Sequence, residues 1–233
     1  MRHLEVERWR GVPGPLHKLD ARAKLIAVLA MLVFIATARP WTPMHAAFYA
    51  VLALSAMVVS RLPWGGLLRR LAVILPFTAT FAALAWISTG DGTRAAGLIS
   101  RSLVSAAFAV VLIGVTPVPS LLDGAGRMGA PVMLISVAQF LYRYLFVLFD
   151  QALRMKQAAA CRGGLRWDAA SGAAAALFVS SQERATRIHG AMLARGFQGA
   201  SPTLDPPRWR GEDTILVVGA MILLGAARIV WGL

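Results

Sequence analysis

Residues 132–162 read VMLISVAQFLYRYLFVLFDQALRMKQAAACR, a run with no glycine and no proline. Such a run predicts one continuous helix, roughly 46 Å long at about 1.5 Å per residue. Wound at about 100° per residue, Leu134, Ala138, Leu141, Leu145, Leu148, Ala152, Met155 and Ala159 share one face, with Arg143, Asp150 and Arg154 opposite. Asp150 and Arg154 stand i, i+4, which predicts a small local ion pair. The first part, 132–149, is apolar enough to be taken for a membrane crossing, so its reading fixes the side on which everything after it lies.

The solvent of the whole chain follows from composition. Of 233 residues, 58% are hydrophobic and 15% charged, and the mean hydropathy is +0.63, far from a soluble globular domain. Apolar runs near the length that crosses a hydrocarbon layer of about 30 Å fall at 24–38, 43–60, 71–88, 98–116, 132–149 and 214–231. The net charge of +13 raises nucleic acid as a partner. Nearly all Lys and Arg lie in the segments between apolar runs, where membrane topology accounts for them, and a nucleic-acid role is set aside. The single cysteine excludes an internal disulfide and a cysteine-based metal cluster. The charged, non-hydrophobic start predicts no cleavable signal peptide.

The placement of Lys and Arg sets the sides. Six lie in 1–24 and three, Arg61, Arg69 and Arg70, in 61–70, whereas the turns at 39–43 and 89–97 carry only Arg39 and Arg94. Positive segments stay in the cytoplasm, so those two turns face outward. With the amino terminus inside, four crossings return the chain to the cytoplasm at Pro117. A fifth crossing at 132–149 would put Arg154, Lys156, Arg162, Arg166, Arg184, Arg187 and Arg195 outside, opposite the other basic segments. The reading adopted is therefore that 132–149 does not span; the alternative is a true span with a cytoplasmic tail.

A second long helix is predicted from 173 to 195, with Ala174, Phe178, Ser181, Ala185, Ile188 and Met192 as a stripe of mostly small or apolar groups and Glu183 and Arg187 opposite. Small residues let helices approach closely, so the two long helices are expected to cross. Pro117, Pro119, Gly124, Gly126, Gly129 and Pro131 bracket one brief helix containing Arg127. The proline-rich 201–211 segment links to the last crossing. The expected fold is thus an all-α membrane protein of about five transmembrane helices plus a cytoplasmic coupling domain of two long crossing helices and one short helix. Its divisions are 1–116 with four crossings, 117–213 in the cytoplasm, and 214–233 with the last crossing.

Cys161-Arg162-Gly163 and Ala194-Arg195-Gly196 each close one of the long helical patterns. Arginine in the last turn is favoured by the negative end of the helix dipole, and glycine follows where a left-handed stop is cheap. Either segment alone reads as helix punctuation. Two equivalent cationic ends on crossing helices are suited to two equivalent acidic grooves on a dimeric partner. There guanidinium offers a planar fork of donors that lysine cannot reproduce.

These residues carry a resemblance. The chain resembles, over most of its length, the transmembrane T component of energy-coupling factor uptake transporters, most closely the cobalt and nickel branch called CbiQ. The segment Leu16-His17-Lys18-Leu19-Asp20-Ala21-Arg22-Ala23-Lys24-Leu25 is similar to that family's opening motif, with Ala21 where proline is usual. Phe140-Leu141-Tyr142-Arg143-Tyr144, then Asp150, Arg154, Met155 and Arg162-Gly163, resembles its first long coupling helix. Glu183-Arg184-Ala185 through Ala191-Met192-Leu193-Ala194-Arg195-Gly196-Phe197 resembles the second, and is the most specific match. Cys161 replaces the usual alanine. The resemblance implies two cytoplasmic ATP-binding-cassette ATPases and a small membrane substrate-capture component as partners. It makes Arg162, Gly163, Cys161, Arg195, Gly196 and Ala194 the ATPase-docking residues, supported by Arg143, Asp150, Arg154, Glu183 and Arg187. ATP and Mg would be bound by the ATPases, with no cofactor in this subunit, which would sit in the cell (inner) membrane.

No Gly-rich phosphate loop ending in Gly-Lys-Ser/Thr is present, so the chain is not expected to hydrolyse ATP. His3, His17, His45 and His189 lack metal-ligand spacing, and metal is expected on the capture component. Asp20 is expected to cap the first crossing, and Arg101 and Arg228 to snorkel from the ends of theirs. Different classes compete: a membrane lipid enzyme would need Asp91, Asp123 and Asp150 to cluster, although whole helices separate them. A stand-alone secondary transporter normally needs paired ionisable groups at the midplane, and 24–88 contains no acidic residue. Within the resembled family the cargo, whether cobalt, nickel or a vitamin such as biotin, depends on the capture component.

Overall fold

The computed structural model describes residues 19–38, 42–61, 64–162, 167–197, 199 and 209–230. All the regular structure among them is helical: α1 (Ala21–Thr37), α2 (Pro43–Ser60), α3 (Trp64–Thr89), α4 (Gly92–Val115), α5 (Val118–Arg127), α6 (Val132–Cys161), α7 (Trp167–Ala194) and α8 (Gly211–Val230). The chain is an all-α membrane protein. It divides into two compact units, 1–124 with 207–233, and 125–206.

In the first unit α4 is the hub. It packs against α1, α2 and α3, and α1 packs along α8. Ala53 of α2 and Ala107 of α4, both buried, let helix backbones approach, and Ile35, Met57, Phe108, Val111 and Leu224 fill the space between them. α3 turns an apolar face outward, including Val73, Phe77, Phe81 and Ile87, as a lipid-facing helix does. Four described helices are long and apolar enough to cross a membrane: α2, α3, α4 and α6. The 17 residues of α1 reach about 25 Å. α8 carries Glu212 and Asp213 in its first turn. For α6, length and apolarity admit a crossing; charge placement was the argument against one. What distinguishes it in sequence is its basic end, with Arg154, Lys156 and Arg162 following a mostly apolar start interrupted by Ser136, Gln139 and Arg143.

The start of α1 is tied by side chains. Asp20 is its N-cap, as expected, its Oδ1 accepting from the Arg22 N–H at 3.0 Å. Asp213 does the corresponding work on α8 and more: Oδ2 accepts from the Arg210 N–H at 2.8 Å, while Oδ1 accepts from the Asp20 N–H at 2.7 Å. One carboxylate thereby joins the starts of the first and last helices across 193 positions of chain. At the other end of α1, Arg101 donates to the Ala38 carbonyl. Arg228 donates to Thr37 Oγ1 at 3.2 Å and lies over the Phe34 ring, 5.7 Å from its centroid. These two arginines, expected to snorkel, instead turn onto α1. Free carbonyls and the negative dipole end of a helix attract cations at that position.

In the second unit Gly126 of α5 lies against Ile135, 3.5 Å from where its Cβ would be, and Gly129, with φ +104°, makes the turn into α6. α6 and α7 meet where Gln151 Nε2 donates to Ser180 Oγ at 3.0 Å. Between them opens a cleft of about 340 Å³ walled by Phe140, Tyr144 and Leu148 on one side and Ser181, Ala185, Ile188 and Met192 on the other. The lower half of the α7 stripe thus faces α6, while Ala174 and Phe178 of its upper half are exposed. On α6 the face toward α7 runs through Phe140, Tyr144 and Gln151, about a quarter turn from Leu134, Leu141 and Leu145, which remain exposed.

Candidate functional site

The two arginine segments end their helices at equivalent positions. α6 finishes at Cys161 and Arg162 is its C-cap, with φ −96° and ψ 14°, its N–H donating to the Ala159 carbonyl at 3.1 Å. α7 finishes at Ala194 and Arg195 takes the same place, its N–H donating to Met192 at 3.0 Å. The α7 stop is complete. The Gly196 N–H bonds the Leu193 carbonyl and the Phe197 N–H reaches back to Met192, both at 3.0 Å. With Gly196 at φ +73°, this is the paired-bond Schellman ending, and it satisfies carbonyls that a bare helix end leaves open. Phe197 and Met192 line one cleft, supplying the apolar contact that accompanies such endings. Gly163, the corresponding glycine after α6, lies outside the described residues.

Cys161, Arg162, Ala194, Arg195 and Gly196 are all exposed. Among the described residues neither guanidinium takes part in an ion pair or a hydrogen bond. Each cation sits at the negative end of a long helix, favourable by about 0.3–1 kcal/mol, with its fork of donors free to meet an acidic group. From the Gln151–Ser180 contact, α6 extends about 16 Å to Arg162 and α7 about 22 Å to Arg195. The arrangement is two helical arms, each tipped by a cation with no ion-pair partner among the described residues.

The supporting residues are placed more loosely. Arg143, Asp150, Arg154, Glu183 and Arg187 are exposed. The expected Asp150–Arg154 pair does not form among the described residues, where Arg22 does pair with Asp20 and Arg94 with Asp91. An exposed pair at that spacing yields only a few tenths of a kcal/mol, close to the entropy lost in ordering both side chains. Arg184, named in sequence as part of the second-helix motif, and His189, named as lacking metal-ligand spacing, join the wall of the α6–α7 cleft. A wider sector around the Ser181–Ile188–Met192 stripe would have included them. Among the described residues no three His, Cys, Asp or Glu side chains converge as a metal site would need. His45 is buried at the start of α2, its Nδ1 2.5 Å from Thr42 Oγ1, while His3 and His17 lie outside the described residues.

The family model for CbiQ, described as cobalt transport protein, matches residues 14–205. The cobalt transport protein CbiQ of Rhodobacter capsulatus is 32% identical over 167 residues, covering 66% of this chain and 67% of that one. The energy-coupling factor transporter transmembrane protein EcfT of Listeria innocua is 26% identical over 93% of this chain and 94% of its own. A putative fused cobalt transport protein, CbiMQ, of Methanocorpusculum labreanum is 26% identical over 91% of this chain and 39% of its length. The match to the family model takes in the whole of α1 to α7 and both arginine-capped helix ends, and the chain belongs to the CbiQ family of cobalt transport proteins, a transmembrane component of the energy-coupling factor type.

Proposed function

We propose that this chain is the energy-coupling subunit of an importer, most readily for cobalt, in which Arg162 and Arg195 dock onto two cytoplasmic ATPases. The observation that carries the proposal is the equivalence of the two helix ends: an exposed guanidinium, unpaired among the described residues, at the C-cap of each of two long helices that meet at Gln151 and Ser180. Two like tips suit a partner that presents the same acidic groove twice, as a two-fold ATPase dimer does. Closure of that dimer on ATP changes the distance between its grooves. Helices transmit such a displacement because their backbone bonds resist bending, so α6 and α7 shift against each other along the cleft. That shift is passed to a small membrane protein that captures the ion. In this reading 125–206 works on the cytoplasmic side, ATP and Mg are held by the ATPases, and this subunit carries out no chemistry.

The test is co-purification of the ATPase pair with charge-reversed chains. Each of Arg162→Glu and Arg195→Glu is expected to weaken association by about 2–5 kcal/mol, a loss of roughly 30-fold or more, with membrane insertion unchanged. Arg→Lys at either position retains the charge but loses the bidentate fork, so its effect is smaller. Wild-type association and cobalt uptake by the double reversal would refute docking. The side of the membrane is checked through Cys161, the chain's single cysteine and exposed. A membrane-impermeant maleimide is expected to label it only after cells are permeabilised, and labelling of intact cells would overturn the cytoplasmic assignment.

A further inference from the structure

The chain leaves the membrane unit after Gly124 and re-enters it at Pro207. Gly124 and Asp213, one near each connection, both touch the same turn of α1. On the way out, Gly124 is buried so close to that turn that a Cβ there would meet the Arg22 nitrogen at 3.4 Å, the Ala21 Cβ at 3.5 Å and the Ala21 carbonyl carbon at 3.6 Å. On the way back, the Asp213 carboxylate, 1% exposed, holds the Arg210 N–H with one oxygen and the Asp20 N–H with the other. The turn itself is stiff. Asp20 caps it, Ala21 and Ala23 are buried, and the charges of Asp20 and Asp213 are balanced by Arg22, whose Nε lies 3.8 Å from Asp20 Oδ2, and by the buried Lys24.

A buried ionic knot of this kind is a poor source of stability. Well-packed apolar side chains would do as well or better, and what such a knot supplies is defined geometry. Gly124, packed on that turn, is the residue immediately before the 125–206 unit, and Asp213 bonds the same turn across 193 positions of chain. We propose that residues 20–24, clamped by Asp213 and overlain by Gly124, are the fulcrum at which displacement of the 125–206 unit is delivered to the membrane helices. Asp213 and Gly124 are then positioning residues for transport. This rests on the energy-coupling reading above, and the two fail differently.

The experiment uses the assembled transporter in proteoliposomes, measuring ATPase association, ATP hydrolysis and cobalt taken up per ATP hydrolysed. Asp213→Ala and Gly124→Leu are expected to keep association and hydrolysis near wild type while uptake per ATP falls about tenfold, the scale of one lost buried hydrogen bond. Gly124→Ala places its Cβ at ordinary contact distances and stays near wild type, whereas Asp213→Asn, keeping one acceptor oxygen, falls between. Wild-type uptake per ATP in both Asp213→Ala and Gly124→Leu overturns the fulcrum. Parallel loss of association, hydrolysis and uptake also overturns it, since that pattern reports a damaged fold. If one of the two variants fails to insert, the other decides, with Asp213→Asn in its support. Failure of the unmodified chain to retain ATPases would instead overturn the coupling reading itself.

Discussion

The 1–124/207–233 unit and the 125–206 unit are both built of long helices, which they use in opposite ways. The first buries Ile35, Leu67 and Leu224 almost completely and ties its helix starts with Asp20 and Asp213. In the second, Ser136 is the one buried side chain among the described residues, and Leu134, Leu141, Leu145 and Phe178 stand more than half exposed. One unit is its own packing partner. The other presents surface, and its order along α6 and α7 comes from helix backbone, one Gln151–Ser180 bond and a shallow cleft. A body that must not deform is built the first way, and the second way suits a part proposed to be gripped by a partner.

The contrast is broken most directly by truncating matched leucines. Leu224→Ala removes a fully buried side chain and is expected to cost about 2–4 kcal/mol, seen as a lowered unfolding temperature of the purified chain in detergent. Leu141→Ala, at a position 65% exposed, should stay within about 0.5 kcal/mol. Equal losses at the two sites would show that the exposed stripe is packed in the isolated chain after all. Gly196→Ala has a smaller expected effect, about 1 kcal/mol, because an L side chain at φ +73° crowds the neighbouring carbonyl. That cost falls on the end of α7 alone. It is measured as faster amide exchange at residues 196 and 197, whose N–H groups bond Leu193 and Met192. Unchanged exchange there, or slower exchange, would mean that the helix end is held by something other than its own backbone.

Much of this was legible in the sequence, and the unreadable part has a physical pattern. α2 and α6 were placed almost to the residue, since Pro43 and Pro131 start them and their apolar runs are uninterrupted. α4 begins six positions ahead of its apolar run, because Gly92, Thr93 and Arg94 are helical without being hydrophobic. α3 likewise extends back through Arg69 and Arg70 to Trp64. Hydropathy finds the segment that prefers lipid, whereas a helix ends where its hydrogen bonds end. The arginine stops were readable because a cap is local: Arg195, Gly196 and Phe197 bond within one turn. Asp213 was not, since its second partner is Asp20 and no periodicity links positions so far apart. The available signal was chemical, an acid at the threshold of a membrane helix in a chain with only 11 acidic residues. The α6 face toward α7 was hidden for another reason: the most apolar stripe of a helix in a membrane protein need not be its packing face, as lipid accepts it equally well.

The smallest expected effect concerns the one difference of residue type between the two arginine segments. Cys161 stands where the other segment has Ala194, each being the last helical residue before its arginine, and both are exposed. Alanine has the higher helix propensity, by about 0.5 kcal/mol, and the thiol has no hydrogen bond or other partner among the described residues, so Cys161→Ala should be neutral or slightly stabilising. ATPase association should not change, because the docking proposed above depends on the guanidinium one position later. The same variant removes the only thiol of the chain and must abolish maleimide labelling. A fall in association of more than about threefold, some 0.6 kcal/mol, would place the sulfur inside the interface. The two tips would then be chemically distinct, and the partner would have to present two unlike grooves where the present reading needs two alike.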